Sequence, residues 1–207
     1  MAMMLTVLHE DEAIVVIDKP AGLLAVPGRG EAGRDNAASR LQHIFPDALT
    51  VHRLDMATSG LLLFARGATV QRQLSAAFAA RLVHKRYVAV VNGWLEGDSG
   101  EISAPLAADW PNRPRQIVDI ERGKPSLTRW RVLGRNAATT RLELEPVTGR
   151  SHQLRVHLLS IGHPICGDPL YGALPPGAPR LMLHASELAL AHPVSGKPLH
   201  FHAAAPF

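Results

Sequence analysis

The sequence predicts an α+β fold built on a mixed, largely antiparallel β-sheet with flanking helices. Segments of strand character outnumber those with helical periodicity, and they do not alternate with helices in the βαβ rhythm of a parallel sheet. The composition, 46% hydrophobic and 19% charged over 207 residues, is that of a globular chain able to bury a sizeable core.

The elements follow in order. Residues 13–17 (AIVVI) read as a buried strand ended by Asp18-Lys19-Pro20, before a loop rich in Gly and Pro that runs to Gly33. Residues 34–45 have helical spacing, with Ala38, Leu41 and Phe45 on one face. An apolar strand is expected at 60–65, then a helix over 69–82 with Leu74, Phe78 and Leu82 inward and Arg72 outward. Strand character returns at 86–91, a connection occupies 97–114, and three strands are predicted at 116–120, 127–133 and 139–145. Residues 151–161 look helical, with Ser151 as N-cap and Gly162 just past the C-terminus. Two strands, 181–190 and 199–203, close the chain around a turn at 192–196. There is no internal repeat, and the expected organisation is one domain over 1–207, as a single body or two closely packed lobes.

Charge narrows the class of partner. Residues 56–95 contain no acidic side chain, while Arg66, Arg72, Arg81, Lys85 and Arg86 supply five positive charges. Ten basic residues between Arg113 and Arg155 face only Asp119, Glu121, Glu143 and Glu145. Such fields suit a polyanion, although solvated or paired arginines would account for them equally well. Cys166 is the only cysteine, so no intrachain disulfide can form and a reducing, cytoplasmic setting is expected. Apolar runs such as 61–65 fall far short of the roughly 20 residues a bilayer requires, and no secretory signal is visible, so no membrane partner is expected.

The segment His52-Arg53-Leu54-Asp55-Met56-Ala57-Thr58-Ser59-Gly60 carries the chemistry. It places Asp55 in a loop at the mouth of an apolar strand, where scaffolds commonly hold reactive groups. By residue type alone, Asp55 reads first as a turn cap through Thr58 or Ser59, paired locally with Arg53, because Asp is common in turns. The segment resembles the signature of the RluA family of pseudouridine synthases, whose aspartate is catalytic. Further blocks similar to that family follow in order over nearly the whole chain: Asp18-Lys19-Pro20-Ala21-Gly22-Leu23, Lys85-Arg86-Tyr87 through Gly93, Gly149-Arg150-Ser151-His152-Gln153-Leu154-Arg155-Val156-His157, and Leu181-Met182-Leu183-His184-Ala185.

The resemblance implies a pseudouridine synthase catalytic fold with a central RNA-binding cleft, no cofactor and no metal. It implies Asp55 as catalytic carboxylate, Tyr87 as the ring that stacks on the target base, and Arg155 as the cation that keeps Asp55 ionised. Without it, Tyr87 would be a packed strand residue and Arg155 a surface residue of the 151–161 helix. Arg53 is expected to insert where a flipped uridine had been, with His52 and Leu183 also on the substrate side. The block 109–116 (DWPNRPRQ) resembles that of a dual-specificity subgroup acting on a 23S rRNA hairpin and a tRNA anticodon stem-loop, with Arg113 and Arg115 as RNA contacts. No appended S4-type domain is expected before residue 13, and a monomer is expected.

Other classes fit less well. Among eleven histidines, His152 and His157 lie five apart and not four, and no HExxH or cysteine pair accompanies them. A glycosidase would need a second carboxylate, yet the nearest acidic residues along the chain from Asp55 are Asp47 and Glu96. Residues 28–33 lack the Lys-Ser/Thr pair of a phosphate loop. A non-catalytic RNA-binding or ribosome-assembly protein would explain the basic field, but it would not need Asp55, Tyr87 and Arg155 in their matching positions.

Overall fold

A run of small and branched apolar residues, buried on both faces, organises the first half of the molecule. A computed structural model describes residues 5–172 and 178–207, and the chain divides into two compact units: Met1–Lys85 with His184–Pro206, and Arg86–Leu183 with Phe207.

In the first unit, strand β1 (Thr6–Glu10) pairs antiparallel with β2 (Ile14–Lys19). Helix α1 (Ala37–Gln42) follows, and Asn36 caps it by accepting from the Ser39 N–H at 2.9 Å. Next come β3 (Ala48–Thr50), β4 (Ser59–Arg66) and helix α2 (Ala68–Ala79). Strand β4 lies between β2, antiparallel, and the late strand β11 (Leu183–Ala191), parallel. Central placement explains why β4 reads as a continuous apolar run and not an alternation. Its Leu61, Leu63 and Ala65 pack with Ile14, Val16, Leu74, Val83, Leu188 and Leu190 in one core.

The second unit holds β5 (His84–Asn92), β6 (Ser99–Ser103), β7 (Leu106–Ala108), β8 (Gln116–Val118), β9 (Leu127–Arg135) and β10 (Thr139–Pro146). Strand β10 is bracketed antiparallel by β5 and β9, β6 pairs with β9, and β7 with β8 form a separate ribbon. Along β10, Thr140, Leu142, Leu144 and Pro146 are buried and the intervening residues half-buried, the period-two pattern of a strand with one covered face. Helix α3 (Gln153–Ser160) lies in this unit, and β12 (Pro198–His202) pairs with β11 in the first.

Several sequence expectations are corrected. Strand β1 was not foreseen, and the 97–114 connection contains β6 and β7, whose polar and small residues gave no strand signal. The 34–45 helix shrinks to α1, after a single 3-10 turn at Glu31–Gly33. Helix α2 stops at Ala79, Arg81 takes a left-handed φ of 61°, and Leu82 is exposed at 65% instead of facing inward. His152, in left-handed conformation, occupies the N-cap of α3 in place of Ser151, with no side-chain cap, whereas Gly162 at φ 83° ends that helix as expected. Among the described residues, no helix is long and apolar enough to cross a membrane.

Candidate active site

In the first unit, the His52–Ser59 loop is held from several sides. Lys19, the last residue of β2, is fully buried, and its ammonium donates to the carbonyls of Pro20 (2.9 Å), Leu23 (2.7 Å) and Met56 (3.2 Å). Gly22 N–H adds a second bond to Met56 O at 2.8 Å, so the DKPAG turn grips the carbonyl of the residue after Asp55. Charge-assisted bonds of this kind are stronger than neutral ones, and burial makes their loss costly.

His52 anchors the other end. Its ring stacks on Phe78 with centroids 4.6 Å apart, and Nε2 accepts from the Leu63 N–H of β4 at 3.0 Å. A ring nitrogen accepting from an amide must be unprotonated. Burial, reinforced by the nearby Lys85 ammonium, pushes His52 down to about 3 and keeps it so. Beyond Asp55, Ser59 Oγ lies 2.8 Å from His184 Nδ1, and His184 Nε2 lies 3.2 Å from Ala203 O. The carbonyl can only accept, so Nε2 carries the ring proton and the Ser59 hydroxyl donates to Nδ1. Gly60, at φ 111°, follows; a Cβ there would sit 2.3 Å from Ala185 O, so the β4–β11 approach requires glycine.

Within this frame the local turn is closed by backbone, Thr58 N–H to Asp55 O at 3.1 Å, and the Ser59 hydroxyl is committed to His184. Leu54 is buried, Asp55 half-buried, and Arg53 and Met56 exposed. The loop thus carries an exposed guanidinium and a half-buried carboxylate on a hydrogen-bonded base.

In the second unit, Tyr87 is half-buried on β5, in register with Leu144 of β10. Arg155 is not a surface residue: it is 3% exposed, as α3 is buried from Gln153 to Leu158. Its Nε and Nη2 donate to Asp168 Oδ2 and Oδ1, each at 2.7 Å. Asp168 is fully buried, and Oδ1 also accepts from the Leu170 and Tyr171 N–H groups. The Tyr171 ring lies under the Arg155 guanidinium at 5.0 Å. Its hydroxyl accepts from Gln116 N–H at 2.7 Å and lies 2.7 Å from His152 Nδ1. Gln153 binds the start of α3 to β9 through the Leu127 carbonyl and the Thr128 hydroxyl. His157 Nε2 lies 2.9 Å from Ala104 O, so Nδ1 accepts from the Thr128 hydroxyl, and burial lowers its pKa.

Of the remaining expected RNA contacts, Arg113 and Arg115 are exposed, while Leu183 is buried at 3%. The wider basic field is thinner than the sequence count suggests: Arg66 pairs with Asp47, Arg86 and Arg131 with Glu143, Arg129 with Glu101, and Arg135 with Asp98. Sequence reasoning missed Asp168, Lys19, Tyr171 and the Ser59–His184 contact. Asp168 had a usable signal: it is the sole acidic residue between Glu145 and Glu187. Among the described residues, no group of three or more His, Cys, Asp or Glu side chains is arranged to hold a metal ion.

The mostly antiparallel mixed sheet with few helices is consistent with the pseudouridine synthase catalytic fold of the solved structures it resembles. A solved structure of human RNA pseudouridylate synthase domain containing 1 superimposes with a TM-score of 0.82 at 27% identity, covering 98% of this chain and 84% of that one. The family described as RNA pseudouridylate synthase matches residues 13–160. The dual-specificity RNA pseudouridine synthase RluA of Vibrio cholerae is 52% identical over 91% of this chain and 78% of its own length. Its counterpart from Yersinia pestis is 48% identical over 97% and 99%. The chain belongs to the RluA family of RNA pseudouridine synthases, enzymes that isomerise uridine within RNA.

Proposed function

We propose that Asp55 is the carboxylate that acts on the target uridine, with Arg155 as its cationic partner and Tyr87 as the ring on which the base turns. The observation that supports this is the way Lys19, His52 and the Ser59–His184 contact hold the loop that carries an exposed Arg53 and a half-buried Asp55. In the reaction the bond from ribose C1′ to uracil N1 breaks, the base rotates, and C1′ bonds to C5. The C5 proton leaves and N1 gains one, so the product is an isomer and no redox partner is consumed. A carboxylate supplies the nucleophile or base such a sequence requires. A cation beside it opposes the protonation that desolvation would favour.

A stacked uridine cannot reach such a group, so the nucleotide is extruded, with Arg53 filling the vacated position. Leu183 joins as a buried apolar side chain, in contact with an inserted base and not with surface RNA. His52 acts from beneath the loop. The substrates proposed are a 23S rRNA hairpin and a tRNA anticodon stem-loop, supported by the dual-specificity names of the similar bacterial enzymes and by the 109–116 block. The protein is read as a cytoplasmic monomer.

The test is release of tritium from C5-labelled uridine in tRNA and rRNA transcripts. Wild type is expected to release it on both, and Asp55→Asn on neither while still binding RNA. Persisting release by Asp55→Asn would remove Asp55 from the chemistry, and release on one transcript alone would restrict the substrate to that RNA.

A further inference from the structure

The tip of the β7–β8 ribbon exposes an indole on a stiff support. Trp110 is 66% exposed, yet its loop is closed by backbone bonds from Asp109 N–H to Arg115 O (3.0 Å), Asn112 N–H to Asp109 O (3.1 Å) and Arg115 N–H to Asn112 O (3.0 Å). The Asn112 amide donates to both Asp109 carboxylate oxygens, at 3.1 and 3.0 Å. At the base of the ribbon, Gln116 N–H is tied to the Tyr171 hydroxyl. A tryptophan held this firmly in water is not a core plug.

One face of the indole is already covered. The Arg113 guanidinium carbon lies 3.7 Å from the ring centroid, which is stacking distance, so the exposure belongs to the opposite face and the edges. Arg115, two residues on, lies over the Tyr171 ring at 5.4 Å. A planar aromatic backed by a guanidinium, with a second guanidinium beside it, combines the two components of single-stranded nucleic-acid binding: a π-face for a base and cations for the flanking phosphates.

We propose that Trp110, backed by Arg113, is a stacking platform for an unpaired nucleobase of the substrate RNA, separate from the uridine assigned to Tyr87. This rests on the protein acting on structured RNA, and it names a contact beyond the reacting nucleotide. Stacking tolerates any base because each has a π-face, so the platform contributes affinity for an opened loop and little base identity. A protein partner is the other occupant to consider, since Ile117, Val118 and Ile120 are exposed at 38%, 36% and 86% on the same ribbon. The guanidiniums at and beside the indole favour RNA.

The experiment measures the dissociation constant of the full-length protein for an unmodified tRNA anticodon stem-loop, over a series of salt concentrations. Trp110→Ala is expected to weaken binding roughly tenfold, equivalent to about 1.4 kcal/mol. Trp110→Phe should recover most of that, and neither variant should alter the salt slope, because no phosphate contact is removed. Wild-type binding and tritium release on the same RNA are run alongside. If wild type modifies the RNA but Trp110→Ala binds within twofold of it, the platform is wrong and the enzymatic reading stands. A loss that Phe does not recover, or one that lowers the salt slope by a full phosphate contact, would also overturn it. A wild type that neither binds nor modifies any RNA would sink both readings. If Trp110→Ala instead altered only the sedimentation of the protein, the ribbon would be a protein interface.

Discussion

The guanidinium of Arg155 meets the carboxylate of Asp168 edge to edge, Nε to Oδ2 and Nη2 to Oδ1, both at 2.7 Å and both out of water. The fork geometry fixes the plane of Arg155 and uses only two of its five N–H donors, Nε–H and one Nη2–H. Under the proposed function, Asp168 would act as a positioning residue for Arg155. Asp168→Asn leaves a buried cation with half its partner, and breaking a buried pair costs on the order of 3–5 kcal/mol. Thermal unfolding should drop by many degrees. At a temperature where the variant is still folded, kcat should fall at least tenfold with little change in KM. Full activity in a folded Asp168→Asn protein would show that Arg155 needs no such support.

Lys19 makes a comparable prediction for the other unit. Lys19→Met fills the volume but removes the ammonium from the carbonyls of Pro20 and Leu23 and leaves Met56 O with the Gly22 N–H. The expected loss is about 2–3 kcal/mol of stability. The Gly22 amide, bonded to Met56 O, should exchange with solvent faster than in wild type, and hydrogen exchange measures this directly.

The neutral histidine under the loop sets a pH dependence. His52 sits at about 3 when folded against 6.5 when free, so between these values the unfolded chain binds the extra proton. Stability from this site is complete above about 6.5 and declines as pH falls towards 3. His157, lowered by burial, acts in the same direction. Denaturant unfolding at a series of pH values should show His52→Gln with a shallower acid slope than wild type. An unchanged slope would mean that His52 does not carry this effect.

Gly60→Ala tests the fit between β4 and β11. The new methyl would meet Ala185 O at 2.3 Å on a backbone at φ 111°, so strain and overlap act together. Destabilisation of about 2 kcal/mol or more is expected, with activity lost in parallel because the strain falls at the exit of the Asp55 loop. A variant with wild-type unfolding would contradict the close approach.

Local pattern was sufficient wherever a segment's own periodicity reports its environment. The apolar runs of β2 and β4 declared buried strands, the alternation of β10 declared a one-sided strand, and the contiguous signature around Asp55 declared the family. The polar and small residues of β6 and β7 gave no such report, and Leu82 was misplaced because the helix ends at Ala79, before that residue's turn comes round.

Which partner each functional side chain takes was decided only in three dimensions. Lys19 reaches Met56 across 37 residues, Arg155 meets Asp168 across 13, and Ser59 finds His184 across 125. Hydrophobic periodicity is a property of neighbours in the chain, and so it can be read there. A hydrogen bond to a buried charge depends on which distant backbone or carboxylate the packed core brings within 3 Å, and no spacing along the chain encodes that distance.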